Sequence, residues 1–389
     1  LDQNKERSEE NIPCKIHRKI PAILAAAGLA HDMGNPPFGH QGENAIRAWF
    51  KRNECYIEGL EEFHRNDFLN FEGNAQTIRL ITKLQVIDDD LGLNLTLGTL
   101  ASIMKYVSAS DEIDTNNHAC KKVGYFYSEK EIVSRIRDEV GICNKARHPL
   151  VLLMEACDDI AYSILDAEDA IKKRLASFND LLASLEYNNK DEVIETLCGR
   201  ARIEYKLLSE HNLHPRELQD VATQKLRAEA IHFMLSAVVE TFKCNYDKIM
   251  QGEFQGELIK ASKADKLCAA LKKFDKEVAF SDKSVLEVEL RGYNTLNELM
   301  DFLWIGINER EKCEDIESKR KTPFAQYVYS LISKNYRRIF EGHFQQYHGK
   351  SNLPIRYKEM QLLTDMVSGM TDQFCIDLHD DLKKNYRKM

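Results

Sequence analysis

Helix breakers are sparse in this sequence. Only 8 prolines and 18 glycines punctuate 389 residues, leaving long stretches in which apolar residues recur every three to four positions. Proline removes a backbone donor and clashes with the preceding turn, while glycine adds to the entropy lost on ordering. A chain poor in both is free to run in helices, and alternating strand patterns are scarce here. The periodicity predicts helices over 20–33, 41–53, 72–86, 95–107, 129–138, 149–174, 178–186, 190–210, 215–250, 255–274, 283–290, 294–310, 323–341 and 355–385. Residues 108–124 read as a polar loop, and Tyr125-Phe126-Tyr127 as a candidate strand. The expectation is an all-α globular protein, with the chemistry in the first 170 residues.

The composition of 43% hydrophobic and 30% charged residues permits a sizeable core, in one large domain or two. No run of about 18 apolar residues would span a membrane, and the polar, charged first residues are unlike a signal peptide. Ten cysteines without a Cys-x-x-Cys pair point to reduced thiols in a cytoplasmic protein. A net charge of −8 argues against a general nucleic-acid surface. An anionic ligand would therefore need a metal and a few local lysines to attract it. The charge runs Lys319-Arg320-Lys321 and Tyr336-Arg337-Arg338 read as solvated faces.

Chemistry concentrates where the first helix ends. Adjacent His31 and Asp32 close an Ala-rich apolar helix, and Gly34, Pro36 and Pro37 forbid its continuation. Polar groups at the end of an apolar helix need partners. A divalent cation would satisfy both, since imidazole and carboxylate suit first-row metals. His40 and Glu43 follow at a spacing of three, which lets a carboxylate orient an imidazole for proton transfer. The same pair could be a surface histidine beside a helix N-terminal glutamate. Further on, Asp158, Tyr162 and Asp166 share one face of a helix, drifting about 40° per step. That stripe is either the wet side of an apolar helix or a ligand-facing row. Lys105-Tyr106 and Lys121-Lys122 matter only if an anion sits nearby. The other histidines, His64, His118, His148, His211, His214, His232, His343, His348 and His379, show no metal spacing and read as surface or core residues.

Several blocks together resemble the HD-domain phosphohydrolases, and within them the bacterial deoxyguanosine triphosphate triphosphohydrolases. They are Ala30-His31-Asp32-Met33-Gly34-Asn35-Pro36-Pro37-Phe38-Gly39-His40-Gln41-Gly42-Glu43, Phe71-Glu72-Gly73-Asn74-Ala75-Gln76, Lys105-Tyr106, Gly124-Tyr125-Phe126-Tyr127-Ser128-Glu129, His148-Pro149-Leu150, Glu155 to Ser163, and Ser368-Gly369-Met370-Thr371-Asp372. They run in order from about residue 20 to 374.

The resemblance implies His31, Asp32 and Asp158 as metal ligands and His40 with Glu43 as the catalytic pair. Tyr162 and Asp166 would face the deoxyribose, with Asp166 near its 3′-hydroxyl. Asn35, Asn74, Lys105, Tyr106 and Lys122 would lie near the triphosphate. A divalent metal is implied, with Mn, Mg, Co, Fe and Zn all compatible with the donors. The implied fold is the helical HD core over 1–174, extended by helices over 175–389 within the same globular unit. A homo-oligomer, often a hexamer, and regulation by nucleotides or single-stranded DNA are further implications. The family takes one more metal-ligating histidine from an upstream Arg-x-x-His-Ser-Leu-Glu-like motif. That motif is absent from this sequence, and His17 has neither its context nor its spacing.

The expected activity is metal-dependent hydrolysis of a deoxynucleoside triphosphate, dGTP first among them, to deoxynucleoside and tripolyphosphate. The metal would sit at the α-phosphate, Lys105 and Lys122 would offset charge, and His40 would protonate the departing 5′-oxygen. The alternatives are another HD-domain nucleotide phosphohydrolase and a nucleotide-sensing protein of weakened turnover.

Overall fold

Helices form where the apolar period requires them. In the computed structural model, which describes residues 16–85, 92–142, 145–187, 190–342 and 353–386, the described residues hold seventeen α-helices and no strand. Two isolated bridges, Ser108 with Val123 and Arg310 with Arg320, tie loops together. None of these helices is long and apolar enough to cross a membrane.

The first part of the chain comprises α1 (Ile16–Ala30), α2 (Gly39–Arg52), α3 (Glu62–Leu69), α4 (Gly73–Arg79), α5 (Leu97–Ile103), α6 (Lys130–Val140) and α7 (Pro149–Lys172). A π-helical turn over Leu80–Leu84 prolongs α4. Then come α8 (Phe178–Glu186), α9 (Glu192–Ser209), α10 (Pro215–Cys244), α11 (Tyr246–Met250) and α12 (Asp265–Phe274), the last prolonged by a π turn over Asp275–Ala279. The chain continues with α13 (Lys283–Asn308), α14 (Pro323–Leu331), α15 (Lys334–Glu341), α16 (Ile355–Ser368) and α17 (Asp372–Asn385).

Three apolar clusters hold these helices. The first joins α7 to α8, α9, α10 and α12 through Ile160, Ile164, Leu181, Leu226, Met234 and Leu271. The second packs α2 and α3 on α13, α14, α16 and α17 through Ile46, Trp49, Phe68, Leu299, Leu303 and Leu363. The third gathers α1, α4, α5 and α6 around Ala27, Ile78, Leu100, Ile103, Val133 and Ile136. Helix α7 serves two clusters at once, with Val151 and Met154 on the third and Leu152, Ala156 and Ile160 on the first. Its N-terminus is fixed by Pro149 at the first turn and by His148 Nδ1, which accepts from the Leu150 N–H at 3.2 Å. With apolar neighbours on two sides, its Asp158–Tyr162–Asp166 row is left for solvent or ligand.

A charged lattice centred on buried Arg79, Glu129 and Asp365 lies under the site. Arg79 donates to both oxygens of Asp365, at 2.7 and 2.6 Å, and to Glu129 at 3.1 Å, while Lys83 reaches Glu129 at 3.0 Å. Gln76 adds a fifth bond, to Asp365 at 2.9 Å. This lattice ties α16 to α4, across 286 residues of chain.

Some expected bounds shift. The predicted strand Tyr125-Phe126-Tyr127 is an extended turn entering a 3₁₀ turn at Tyr127–Glu129. Helix α3 went unpredicted because Glu62-Phe63-His64-Arg65-Asn66-Asp67-Phe68-Leu69 is mostly polar. Segments 283–290 and 294–310 are one helix, α13, whose Gly292 faces the Phe38 ring, so a Cβ there would lie 2.4 Å from Phe38 Cγ. Conversely, 355–385 breaks at Gly369, and 323–341 breaks before Lys334. Residues 255–264, expected to be helical, form turns ahead of α12. Arg320 is buried on the Tyr329 ring instead of solvated, with its guanidinium 3.4 Å from the ring centroid.

Candidate active site

The turn between α1 and α2 is held from three sides. His31 Nδ1–H donates to the Gly28 carbonyl at 2.8 Å, an end-of-helix bond that fixes the ring and leaves Nε2 as the free nitrogen. Thr77 on α4 accepts the Gly34 N–H at 2.9 Å, and its hydroxyl lies 2.9 Å from the His31 carbonyl. A Cβ at Gly34 would come within 2.1 Å of the Thr77 backbone nitrogen, so only glycine permits this approach. Phe38 sits in the left-handed region at φ 62, a strained conformation for a ring-bearing residue. Its N–H bonds Asp372 at 2.9 Å and its ring lies over Gly292, so α17 and α13 brace the turn from the far side.

That bracing brings His31 to α7. Its Nε2 lies 3.4 Å from Asp32 Oδ2 and 3.3 Å from Asp158 Oδ1. The ligand-capable atoms of His31, Asp32 and Asp158 fall within 4.8 Å of one another. Nε2 is buried without a hydrogen-bond partner, an orphan that native structures avoid unless something binds there. Asp158 first, and Asp32 after it, raise the proton affinity of this imidazole. A field that draws a proton also draws a divalent cation, and one nitrogen with two carboxylates is a suitable donor set. Tyr162 donates its hydroxyl to Asp32 Oδ2 at 3.2 Å, and desolvation together with Asp32 and Asp158 pushes it up to about 12. Lys105 stands 3.9 Å from both Asp158 and Glu155, and buried Arg147 holds Glu155 at 2.7 Å.

A second group begins at His40, whose side chain is 91% exposed while that of Glu43 behind it is 4% exposed. The solvent-facing imidazole is thus presented by a buried anchor. Glu43 Oε2 lies 3.2 Å from His40 Nδ1, and Oε1 accepts the Gly73 N–H at 2.8 Å. Burial pushes the Glu43 carboxyl up, but His40, the Gly73 N–H, Lys122 and Arg47 together bring it below its usual range. The contact with Glu43 raises His40 in turn. Behind them Glu72 joins Arg47 and Lys122, each at 3.1 Å. Helix α4 therefore serves both groups, supplying Gly73 to Glu43 and Thr77 to the His31 turn.

The match to curated relatives takes in most of this chain and about four fifths of their length. It is 34% identical to a deoxyguanosinetriphosphate triphosphohydrolase-like protein of Listeria monocytogenes, over 96% of this chain and 81% of that protein. A protein of the same name from Listeria innocua is also 34% identical, over 94% of this chain and 78% of its own. The chain belongs to the deoxyguanosinetriphosphate triphosphohydrolase family. The deoxyguanosinetriphosphate triphosphohydrolase of Salmonella paratyphi A is 30% identical, over 92% of this chain and 77% of that enzyme. No protein-family model matches the chain.

For a member of this family, the residues singled out in the sequence fall into two neighbouring groups. His31, Asp32, Asp158, Lys105 and Tyr162 form one, and His40, Glu43 and Lys122 the other, linked through Glu72. Buried Tyr106 meets both Lys121 and Lys122, whose ammonium groups are 5.9 and 6.0 Å from its ring centroid. Asn35 fits its Oδ1 against Gly73, where a Cβ would be 2.2 Å away. Asn74 is half-buried in the first turn of α4, and Asp166 is two helical turns beyond Asp158 on α7.

Other residues around the site carried no sequence signal of their own. Thr77 lies one residue beyond a quoted block. Asp275, on the π turn after α12, is buried with Oδ1 unpartnered; burial, and after it the charge of Asp166, push it up to about 8. His118 joins Glu155 and Glu257 in a second set whose ligand atoms lie within 4.8 Å, although its spacing in sequence showed nothing. There the carboxylates already meet Arg147, Lys105, Lys121 and Lys260. Four cations around two carboxylates disfavour a metal ion. Of the other histidines, His64 and His379 are buried, His148 and His214 cap helices, and His211 and His232 are exposed. His343 and His348 lie outside the described residues.

Proposed function

We propose that this protein hydrolyses deoxynucleoside triphosphates, dGTP foremost, to the deoxynucleoside and intact tripolyphosphate. Family membership supports the reaction class. The observation that carries the reading is an exposed imidazole, His40, backed by a buried carboxylate and standing on the same braced turn as the His31–Asp32–Asp158 cluster. His31, Asp32 and Asp158 would hold a divalent cation. When bound, it supplies Lewis-acid neutralisation of phosphate charge. The donors suit Mn, Mg, Co, Fe or Zn.

Lys105, Tyr106 and Lys122, with Asn35 and Asn74, would bind the triphosphate by charge and hydrogen bonds. Tyr162 would pack on the deoxyribose and Asp166 would accept from its 3′-hydroxyl. His40 would deliver a proton to the departing 5′-oxygen. An alkoxide leaves poorly at neutral pH, so a placed acid is worth about 10²–10⁴ in rate. Glu43 keeps that proton on His40 and the ring in position. Residues 1–174 would then be the reacting HD core, and 175–389 the extension that braces it.

We further read the protein as a cytoplasmic homo-oligomer, a hexamer in its fullest form, open to regulation by nucleotides or single-stranded DNA. Leu286, Val288 and Leu290, all exposed on the unburied first turns of α13, support self-association. Chromatographic analysis of products from each of the four deoxynucleoside triphosphates, with Mn or Mg, tests the activity. Deoxynucleoside and tripolyphosphate are expected, fastest from dGTP. No turnover by a protein shown to carry metal would overturn it.

A further inference from the structure

The charged groups beyond Lys105 form an ordered path away from the metal-capable cluster. Asp158 meets Lys105 at 3.9 Å, Lys105 meets Glu155 at 3.9 Å, and Glu155 lies within 4.8 Å of Glu257 and His118. Lys121 ends the path, 3.3 Å from His118 Nε2 and 3.7 Å from Glu257 Oε1. The turn that carries it is fixed. The Val107 N–H donates to the Ala119 carbonyl at 2.9 Å, and Ser108 Oγ contacts the Cys120 and Lys122 carbonyls at 3.2 and 3.0 Å. Lys121 therefore has a set origin and a side chain that is 31% exposed. Its tie to Glu257 is loose, because Lys260 at 2.9 Å already holds that carboxylate more closely.

We infer that Lys121 is the receptor for the terminal phosphate of the substrate and rests on Glu257 when no substrate is bound. The inference rests on the triphosphate reading given above. With the α-phosphate at the His31–Asp32–Asp158 cluster, Lys105 stands beside the start of the phosphate chain. The path through Glu155 leads its far end to Lys121. Lys121 and Lys122 both stand over the Tyr106 ring, at 5.9 and 6.0 Å from its centroid, so the two lysines are within reach of the same phosphate chain. A dianionic terminal phosphate would draw Lys121 from a shared carboxylate, because a charge-assisted bond to phosphate is among the stronger available. Glu257, in the segment between α11 and α12, is then the competitor that sets the cost of that transfer.

The test is calorimetric titration of the Mg-loaded protein with Mg-tripolyphosphate and with Mg-pyrophosphate. Lys121→Met is expected to weaken tripolyphosphate about tenfold while leaving pyrophosphate nearly unchanged. Lys121→Arg should restore most of the loss, and Glu257→Gln should tighten tripolyphosphate by freeing the lysine. Equal weakening of both anions, or none of either, would remove Lys121 from the terminal position. A wild-type protein that binds neither anion would instead overturn the triphosphate reading itself.

Discussion

Glu43 faces His40 Nδ1 across 3.2 Å with its Oε2, while its Oε1 is held by the Gly73 N–H at 2.8 Å. One carboxylate thus joins the exposed imidazole to the start of α4. The chemistry proposed here depends on that bridge. His40→Ala is expected to lower kcat by about 10²–10⁴ with a small effect on KM. Steady-state kinetics with dGTP would show this, and an unchanged kcat would remove His40 from the reaction.

Glu43 also sets the pH range. Its contact raises the pKa of His40, so the ring keeps its proton to a higher pH than a free imidazole. An acid role then gives a kcat that falls on the alkaline side as that proton is lost. In Glu43→Gln the raising interaction is gone, and the alkaline limb should move to lower pH. A limb that stays in place would dissociate Glu43 from the proton.

Metal binding should be visible as stability. A ligand that binds only the folded state stabilises it by about 2.7 kcal/mol at a hundred times its dissociation constant. Mn is therefore expected to raise the melting temperature of the wild type by several degrees and to leave Asp158→Asn unmoved. Melting curves with Mn and with chelator would decide it.

The lattice beneath the site makes a different prediction. Arg79→Met leaves buried Asp365 without its cation while Glu129 keeps Lys83, and breaking such a pair costs roughly 3–5 kcal/mol. Adding Asp365→Leu to that variant removes the stranded charge and should recover part of the loss. Urea unfolding of the single and double variants measures both.

Asp275 gives a pH-dependent case. Its carboxyl is pushed up to about 8 by burial and by Asp166, so the folded state binds a proton that the unfolded chain releases near pH 4. Stability from this group is then fully present below pH 4 and is lost as pH rises toward 8. Asp275→Asn keeps the shape without the ionisation. Its melting temperature should gain on the wild type between pH 5 and pH 8, and a constant difference would contradict the assignment.

The sequence carried the helical class and much of the site, for reasons that differ residue by residue. Helix α7 was legible almost to its ends because Pro149 starts it and its apolar period is unbroken. His31, Asp32 and Asp158 were singled out by local pattern and by family resemblance, and the fold brings them within reach of one another. Gly292 misled, because a glycine inside a helix reads as a break until the Phe38 ring is seen against it. Helix α3 was hidden by its polarity. Asp365, Asp275 and Glu257 had no local signal at all, since their partners Arg79, Asp166 and His118 are between 109 and 286 residues away or on other helices.

The most direct measurement is the hydrolysis of dGTP in ¹⁸O-labelled water, followed by ³¹P NMR and mass analysis of the products. Attack at the α-phosphate with a protonated 5′-oxygen leaving predicts one ¹⁸O in intact tripolyphosphate and none in deoxyguanosine. Label in orthophosphate, or in the 5′-hydroxyl of deoxyguanosine, would contradict the account.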